Sequence, residues 1–198
     1  MNIYSTEVLI TLSVVAYILY LRAVLKSCVP NLSSWMTLGI IDFLSLIVAL
    51  RIYTSYSDVI ALIIVDAVLG IAVLTTFWRH GKFSAVTKSE YYILAISLTA
   101  FIISRFEMGT PLVLALILCL AKICYFPTFY GVLIKRNKEP MLPWGLWSLT
   151  TLLILFSIYY RPHTQVEFIV PTLNFIVHLS VFIATIYMYN PLVKVYEE

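Results

Sequence analysis

The length of its apolar runs constrains this chain more than any other feature. Stretches of about 20 predominantly apolar residues recur from end to end, each long enough to carry a helix across roughly 30 Å of hydrocarbon at 1.5 Å per residue. Brief charged or Pro/Gly-containing turns separate them. Water does not reach a backbone amide in lipid, so each run must satisfy its own N–H and C=O groups, which makes it a helix. Seven spans are predicted, at roughly 5–25, 33–53, 58–78, 90–106, 110–134, 142–160 and 166–190. Composition agrees: of 198 residues, 62% are hydrophobic and 12% charged, against about 45 to 50% and about 25% in a soluble domain. Little is left over for a soluble domain. The N-terminal MNIYSTE is acidic and lacks the basic flank of a signal peptide, so the first run is expected to remain as a span.

The distribution of positive charge orients the spans. Arg22 and Lys26 follow the first, Arg79, Lys82 and Lys88 the third, Lys135, Arg136 and Lys138 the fifth, and Lys194 the seventh. The opposite side carries only Arg51, Arg105 and Arg161. Nine against three places the N-terminus outside and the C-terminus in the cytoplasm by the positive-inside rule. The remaining basic residue, Lys122, falls inside a span. The cysteines, Cys28, Cys119 and Cys124, offer neither a disulfide framework nor a metal site, and read as small packing residues.

Two cytoplasmic stretches share a pattern: KSCVPNLSSW from Lys26 and KRNKEPMLPW from Lys135 each place a basic cluster, a proline and a tryptophan before an apolar run. At an offset of 110, Lys26 meets Arg136, Pro30 meets Pro140, Leu32 meets Leu142 and Arg51 meets Arg161. Trp35 meets Trp144 at 109, and Asp66 meets Asn174 at 108. The order of features implies an all-α membrane fold of two parallel three-helix repeats, 1–80 and 109–192, joined by a linker helix at 88–107. Each proline ends the preceding segment and lets the next helix start. Each tryptophan, a turn into its helix, is expected at headgroup depth as an interfacial anchor. Tyr17, Tyr53, Tyr56, Tyr91, Tyr92, Tyr159 and Tyr160, mostly near helix ends, read first as aromatic belts.

This architecture resembles the SWEET and PQ-loop transporter superfamily. The stretch KICYFPTFYGVLIKRNKEPMLPWGLWSL is similar to bacterial PQ-loop-like proteins in Pro127-Thr128, a charged turn, a proline, and a W-x-x-W at Trp144 and Trp147. Asn31 and Met141 stand after Pro30 and Pro140, where the PQ-loop name has glutamine. The resemblance implies a bacterial inner-membrane carrier working by alternating access, with the third helix of each repeat lining the substrate pocket; it carries that role onto Asp66 and Asn174.

Ionisable residues at mid-span point the same way, because each costs a few kcal/mol in lipid and therefore turns toward protein or a wet cavity. Asp42, Asp66, Lys122, Asn174 and His178 fall at similar depth, with Asn174 and His178 on one face four residues apart. The expected substrate-binding set is Asp66, Asn174, Lys122, Trp144 and His178. Asp66 is also the expected proton-coupling group, since a desolvated carboxylate holds its proton more tightly. A hydrogen-bonded helix contact is the alternative for Asp66 with Asn174, and an ion pair with Asp66 or Asp42 the alternative for Lys122. Pro127 inside the fifth span is expected to bend it as a hinge, with Gly131 one turn on. An Asp/Lys pocket leans toward a zwitterionic or amine-bearing solute.

A non-transporting receptor or assembly subunit on the same fold, as KDEL receptors illustrate, is the competing expectation. No phosphate loop, metal cluster, nucleic-acid patch or protease motif is present, so neither an enzyme nor a cofactor or metal is expected. The expected partners are a small-molecule substrate and the lipid bilayer, with no nucleic acid; a homodimer stays open.

Overall fold

The computed structural model describes residues 6–26, 28–40, 57–80, 86–106, 122–160 and 165–189. Asp42, Arg51, Tyr53, Tyr56, Cys119, Arg161 and the first half of the fifth span lie outside them. The described residues are helical, without strands, and three helices are long and apolar enough to cross a membrane: Thr6–Lys26, Met141–Tyr159 and Glu167–Tyr189. This is a helical membrane protein.

Helix α1, Thr6–Lys26, has Glu7 in its first turn and Lys26 in its last, both complementing the helix dipole. Its buried residues, Leu9, Ser13, Ala16, Tyr17, Tyr20 and Val24, follow a three-to-four spacing and form one stripe. Val8, Val15, Ile18 and Leu25 are exposed, as a lipid-facing side would be. That stripe packs against α3, Ser57–His80, and α6, Met141–Tyr159. From α3 come Gly70, Val73 and Phe77 at the same spacing. Helix α6 packs most extensively on α7, Gln165–Tyr189, and α7 also meets α5, Phe126–Leu133. The close approach of α6 and α7 needs Gly145: a Cβ there would stand 2.9 Å from the Phe182 ring.

Helix α2 begins at residue 32 and is described to residue 40. Asn31 caps it, its Oδ1 accepting from the Ser34 N–H at 2.9 Å and the Ser33 hydroxyl at 2.7 Å. The same amide donates to Glu90 Oε1 at 2.6 Å, while Glu90 Oε2 accepts from the Thr87 N–H at 2.6 Å. Thr87 and Glu90 are the S/T-x-x-E spacing of a capping box, so one carboxylate starts α4, Lys88–Phe106, and ties it to the start of α2. Helix α4 also meets the 3₁₀ turn at Lys122–Tyr125, and its Ile93 packs against the core, while Tyr91, Tyr92, Ile96, Leu98, Ile102 and Ile103 are exposed.

Pro127 differs in place from the expectation. Lys122–Tyr125 form a 3₁₀ turn that runs directly into α5, which starts at Phe126, so Pro127 stands in the first α-helical turn and not in mid-helix. A proline there removes an N–H that has no intrahelical acceptor anyway, so it is tolerated without loss of a backbone bond. Helix α5 closes with Arg136 in the left-handed region (φ 55°), and the Asn137 N–H reaches the Gly131 carbonyl at 2.9 Å. A Cβ at Gly131 would lie 2.8 Å from Asn137 Nδ2, so the glycine lets that side chain lie against the helix. Pro140, extended at φ −74° and ψ 118°, then caps α6, as its ring dictates.

Candidate functional site

The two motif tryptophans are enclosed by protein. Trp35 is 3% exposed and Trp144 1%. A buried indole usually gives its N–H to an acceptor, and both of these do. Trp35 Nε1 donates to the Tyr20 hydroxyl at 2.9 Å; Tyr20 donates to Glu139 Oε2 at 3.0 Å; Trp144 Nε1 donates to the same oxygen at 3.3 Å. The repeated motif therefore folds inward, and its two rings meet through one tyrosine and one carboxylate. Tyr189 adds a hydroxyl to the Glu139 carbonyl at 3.4 Å. Around this knot the rings pack edge-on or tilted, with centroids 4.7 Å apart for Tyr20 and Trp35, 5.1 Å for Trp144 and Trp147, and 5.0 Å for Tyr17 and Trp147. Tyr17 is likewise buried rather than in a belt. Tyr91, Tyr92, Tyr159 and Tyr160 are exposed, as belt residues would be.

Glu139 precedes α6 and is 3% exposed. Burial pushes its carboxyl up to about 7, against the pull of the Trp144 and Tyr20 hydrogen bonds. Burial, with the Glu139 carboxylate nearby, also pushes the Cys28 thiol up, so Cys28 is an unreactive packing residue. Cys28 and Cys124 are both buried and free.

Behind the knot lies a cavity. Asp66 from α3, Lys122 from the 3₁₀ turn, Trp144 from α6, and Asn174 and His178 from α7 all line it. The structure thus gathers the five expected residues, and Asp66 and Asn174 border one space. Tyr17, Trp35, Leu38, Tyr125 and Trp147 complete the wall. The volume open to the centre of a water molecule is about 40 Å³, where one water needs about 10 to 15 Å³. About three waters fit.

The polar wall is unevenly satisfied. Asp66 accepts the Ser13 hydroxyl, and Tyr17 donates to the Asp66 carbonyl at 3.3 Å. His178 Nε2 lies 3.1 Å from the Tyr125 hydroxyl. Asn174 Oδ1 and Trp147 Nε1 are buried and have no hydrogen-bond partner among the described residues. Lys122 is 6% exposed, with its Nζ 5.7 Å from the centre of the Tyr125 ring. Among the described residues no carboxylate pairs with it, so the expected alternative of an Asp66 ion pair is not seen. A ring face offsets part of the cost of a buried ammonium, roughly 2 kcal/mol when desolvated. Lys122 also borders an apolar crevice of about 340 Å³ between α5 and α7, walled by Phe126, Phe129, Val177 and Val181. That crevice offers little to a polar solute.

Sequence reasoning missed Glu139, Tyr20, Tyr17, Tyr125 and Trp147. Tyr17 and Tyr20 fall on the helical stripe of Ser13, which a wheel over the first span would have revealed. Glu139, between Lys138 and Pro140, reads as a solvated charge, and nothing local marks it as buried. No protein-family model, curated protein or solved structure matches the chain.

Proposed function

We propose that this protein is a carrier of the SWEET and PQ-loop type, moving a small polar solute by alternating access. In this reading seven helices cross the membrane as two parallel three-helix bundles joined by α4, with the N-terminus outside and the C-terminus in the cytoplasm. Substrate sits at mid-membrane against Asp66, Asn174, Lys122, Trp144 and His178. One observation carries the reading: charged and polar groups from both halves of the chain border a single buried cavity. Polar groups whose only task is to stitch helices would bond one another, whereas Asn174 Oδ1 and Trp147 Nε1 have no partner among the described residues.

The knot of Trp35, Tyr20, Glu139 and Trp144 is the closed gate on the cytoplasmic side, and opening separates Tyr20 from Glu139. The change from 3₁₀ to α geometry at Tyr125, with Pro127 after it, is the hinge. Asp66 is the proton-coupling carboxylate in this scheme. Uptake into liposomes tests the carrier reading. Asp66→Asn and Asn174→Ala should each abolish flux while the purified variants keep wild-type elution and tryptophan fluorescence. Full flux in both removes the site.

A further inference from the structure

The three helices long and apolar enough to span a membrane meet at one end of the bundle, where α1 finishes at Lys26, α7 finishes at Tyr189 and α6 begins at Met141. A groove of about 430 Å³ opens between these ends. That is the size of a small-molecule site, roughly 300 to 1,000 Å³. Its wall on α1 is one stripe, Leu19, Arg22, Ala23 and Lys26, at the three-to-four spacing of a single helix face. Lys26 stands about 10 Å beyond Leu19 along the axis, at 1.5 Å per residue, so the stripe runs from apolar to cationic towards the helix end. Across the groove Met141 and Leu142 of α6 expose apolar surface. Arg22 and Lys26 are both exposed, and no side chain lining the groove is acidic. The nearby Glu139 is buried and turned inward to Tyr20 and Trp144.

We propose that this groove binds an anionic phospholipid, its phosphate between Arg22 and Lys26 and one acyl chain along Leu19, Ala23, Met141 and Leu142. A guanidinium takes two phosphate oxygens in a fork, and an ammonium adds a point charge beside it. Both side chains can lay their methylene stems on the apolar floor and hold their charges at headgroup depth, where the Tyr189 phenol is also at home. A soluble anion would gain only two exposed cations, which salt screens, and would leave the floor wet. A zwitterionic lipid would fill the floor without matching the charge. Each basic residue beside an anionic lipid surface is worth roughly a fivefold gain in binding. The ligand touches α1, α6 and α7 together, and Tyr189 on its border also donates to the Glu139 carbonyl at 3.4 Å. Occupancy therefore clamps the beginning of the chain to its end beside the Glu139 knot. The site depends on the three spanning helices and holds whether or not the protein is a carrier.

Native mass spectrometry of the purified full chain in detergent tests this, with phosphatidylglycerol and phosphatidylcholine of identical acyl chains and with sn-glycerol 3-phosphate as a soluble competitor. Phosphatidylglycerol should bind at least about tenfold more tightly than phosphatidylcholine, as expected for two basic contacts. Glycerol phosphate should not displace it. At a concentration a hundredfold above its Kd, phosphatidylglycerol should raise Tm by about 5 to 10 °C, and phosphatidylcholine should not. These comparisons use wild-type protein and need no variant to fold. Arg22→Gln combined with Lys26→Gln should lose at least about tenfold in phosphatidylglycerol affinity. Arg79→Gln combined with Lys88→Gln makes the same charge change at exposed positions outside the groove and should retain it. Equal binding of phosphatidylcholine overturns the proposal, as does equal loss in the two double variants. Displacement by glycerol phosphate would make the groove a site for a free phosphoester, and a dimer that excludes the lipid would seat a second copy there; either result also overturns it.

Discussion

Glu139→Gln is the most discriminating single substitution. In the folded chain burial holds the carboxyl at about 7, against 4.5 for a hydrated glutamate. Between these values the folded state keeps a proton that the unfolded state has released. The contribution to stability is therefore complete below about pH 4.5, declines as pH rises, and is gone once pH passes 7. At about 1.4 kcal/mol per pH unit the total is on the order of 3 kcal/mol. The side chain is buried, so little of this is screened. Glutamine keeps an oxygen to accept from Tyr20 and Trp144 but cannot ionise. Thermal unfolding in detergent, followed by tryptophan fluorescence from pH 5 to pH 8, is the assay. About 2.5 kcal/mol of this falls between pH 5 and pH 8, so wild-type Tm should fall across that range by about 5 to 10 °C more than that of the variant, at roughly 2 to 4 °C per kcal/mol for a chain of this length. Other titrating groups affect both proteins alike, so the difference between the curves is the readout. Parallel curves would refute the assignment of a buried, proton-holding carboxyl. Glu139→Ala adds a second arm. It leaves the Tyr20 hydroxyl and the Trp144 N–H without their acceptor, at about 1 to 3 kcal/mol each, and should be destabilised even at pH 5.

Asn31→Ala removes both the cap of α2 and a partner of Glu90, and should lower stability by about 2 to 4 kcal/mol in the same unfolding assay. Gly145→Ala places a methyl group 2.9 Å from Phe182 and should cost about 1 to 3 kcal/mol by prising α6 from α7; an unchanged Tm would mean that the ring moves freely. Pro127→Ala, in the first turn of α5, should change stability by less than about 1 kcal/mol yet slow liposome uptake; unaltered uptake counts against a hinge.

The sequence by itself determined the helices. Hydrocarbon forbids unpaired backbone, so runs of apolar residues had no other regular form available, and the expected limits agree with α1, α3, α4, α6 and α7 to within a few residues. It also singled out Asp66, Lys122, Asn174 and His178, because ionisable and amide groups at mid-span are costly enough to stand out against their neighbours. Tertiary structure decided everything that depends on what lies across a gap. Trp35 and Trp144 looked like interfacial anchors because an indole suits a headgroup region, yet Tyr20 on α1 and Glu139 just before α6 supplied acceptors that let both rings go inside. Lys122 and Pro127 looked like members of one α-helix, since an apolar run does not announce where its hydrogen bonding is 3₁₀ and where it is α. Glu139 was invisible as a buried group for the same reason. Burial belongs to the packing of α1, α2 and α6 around it, and no residue adjacent in the chain records that.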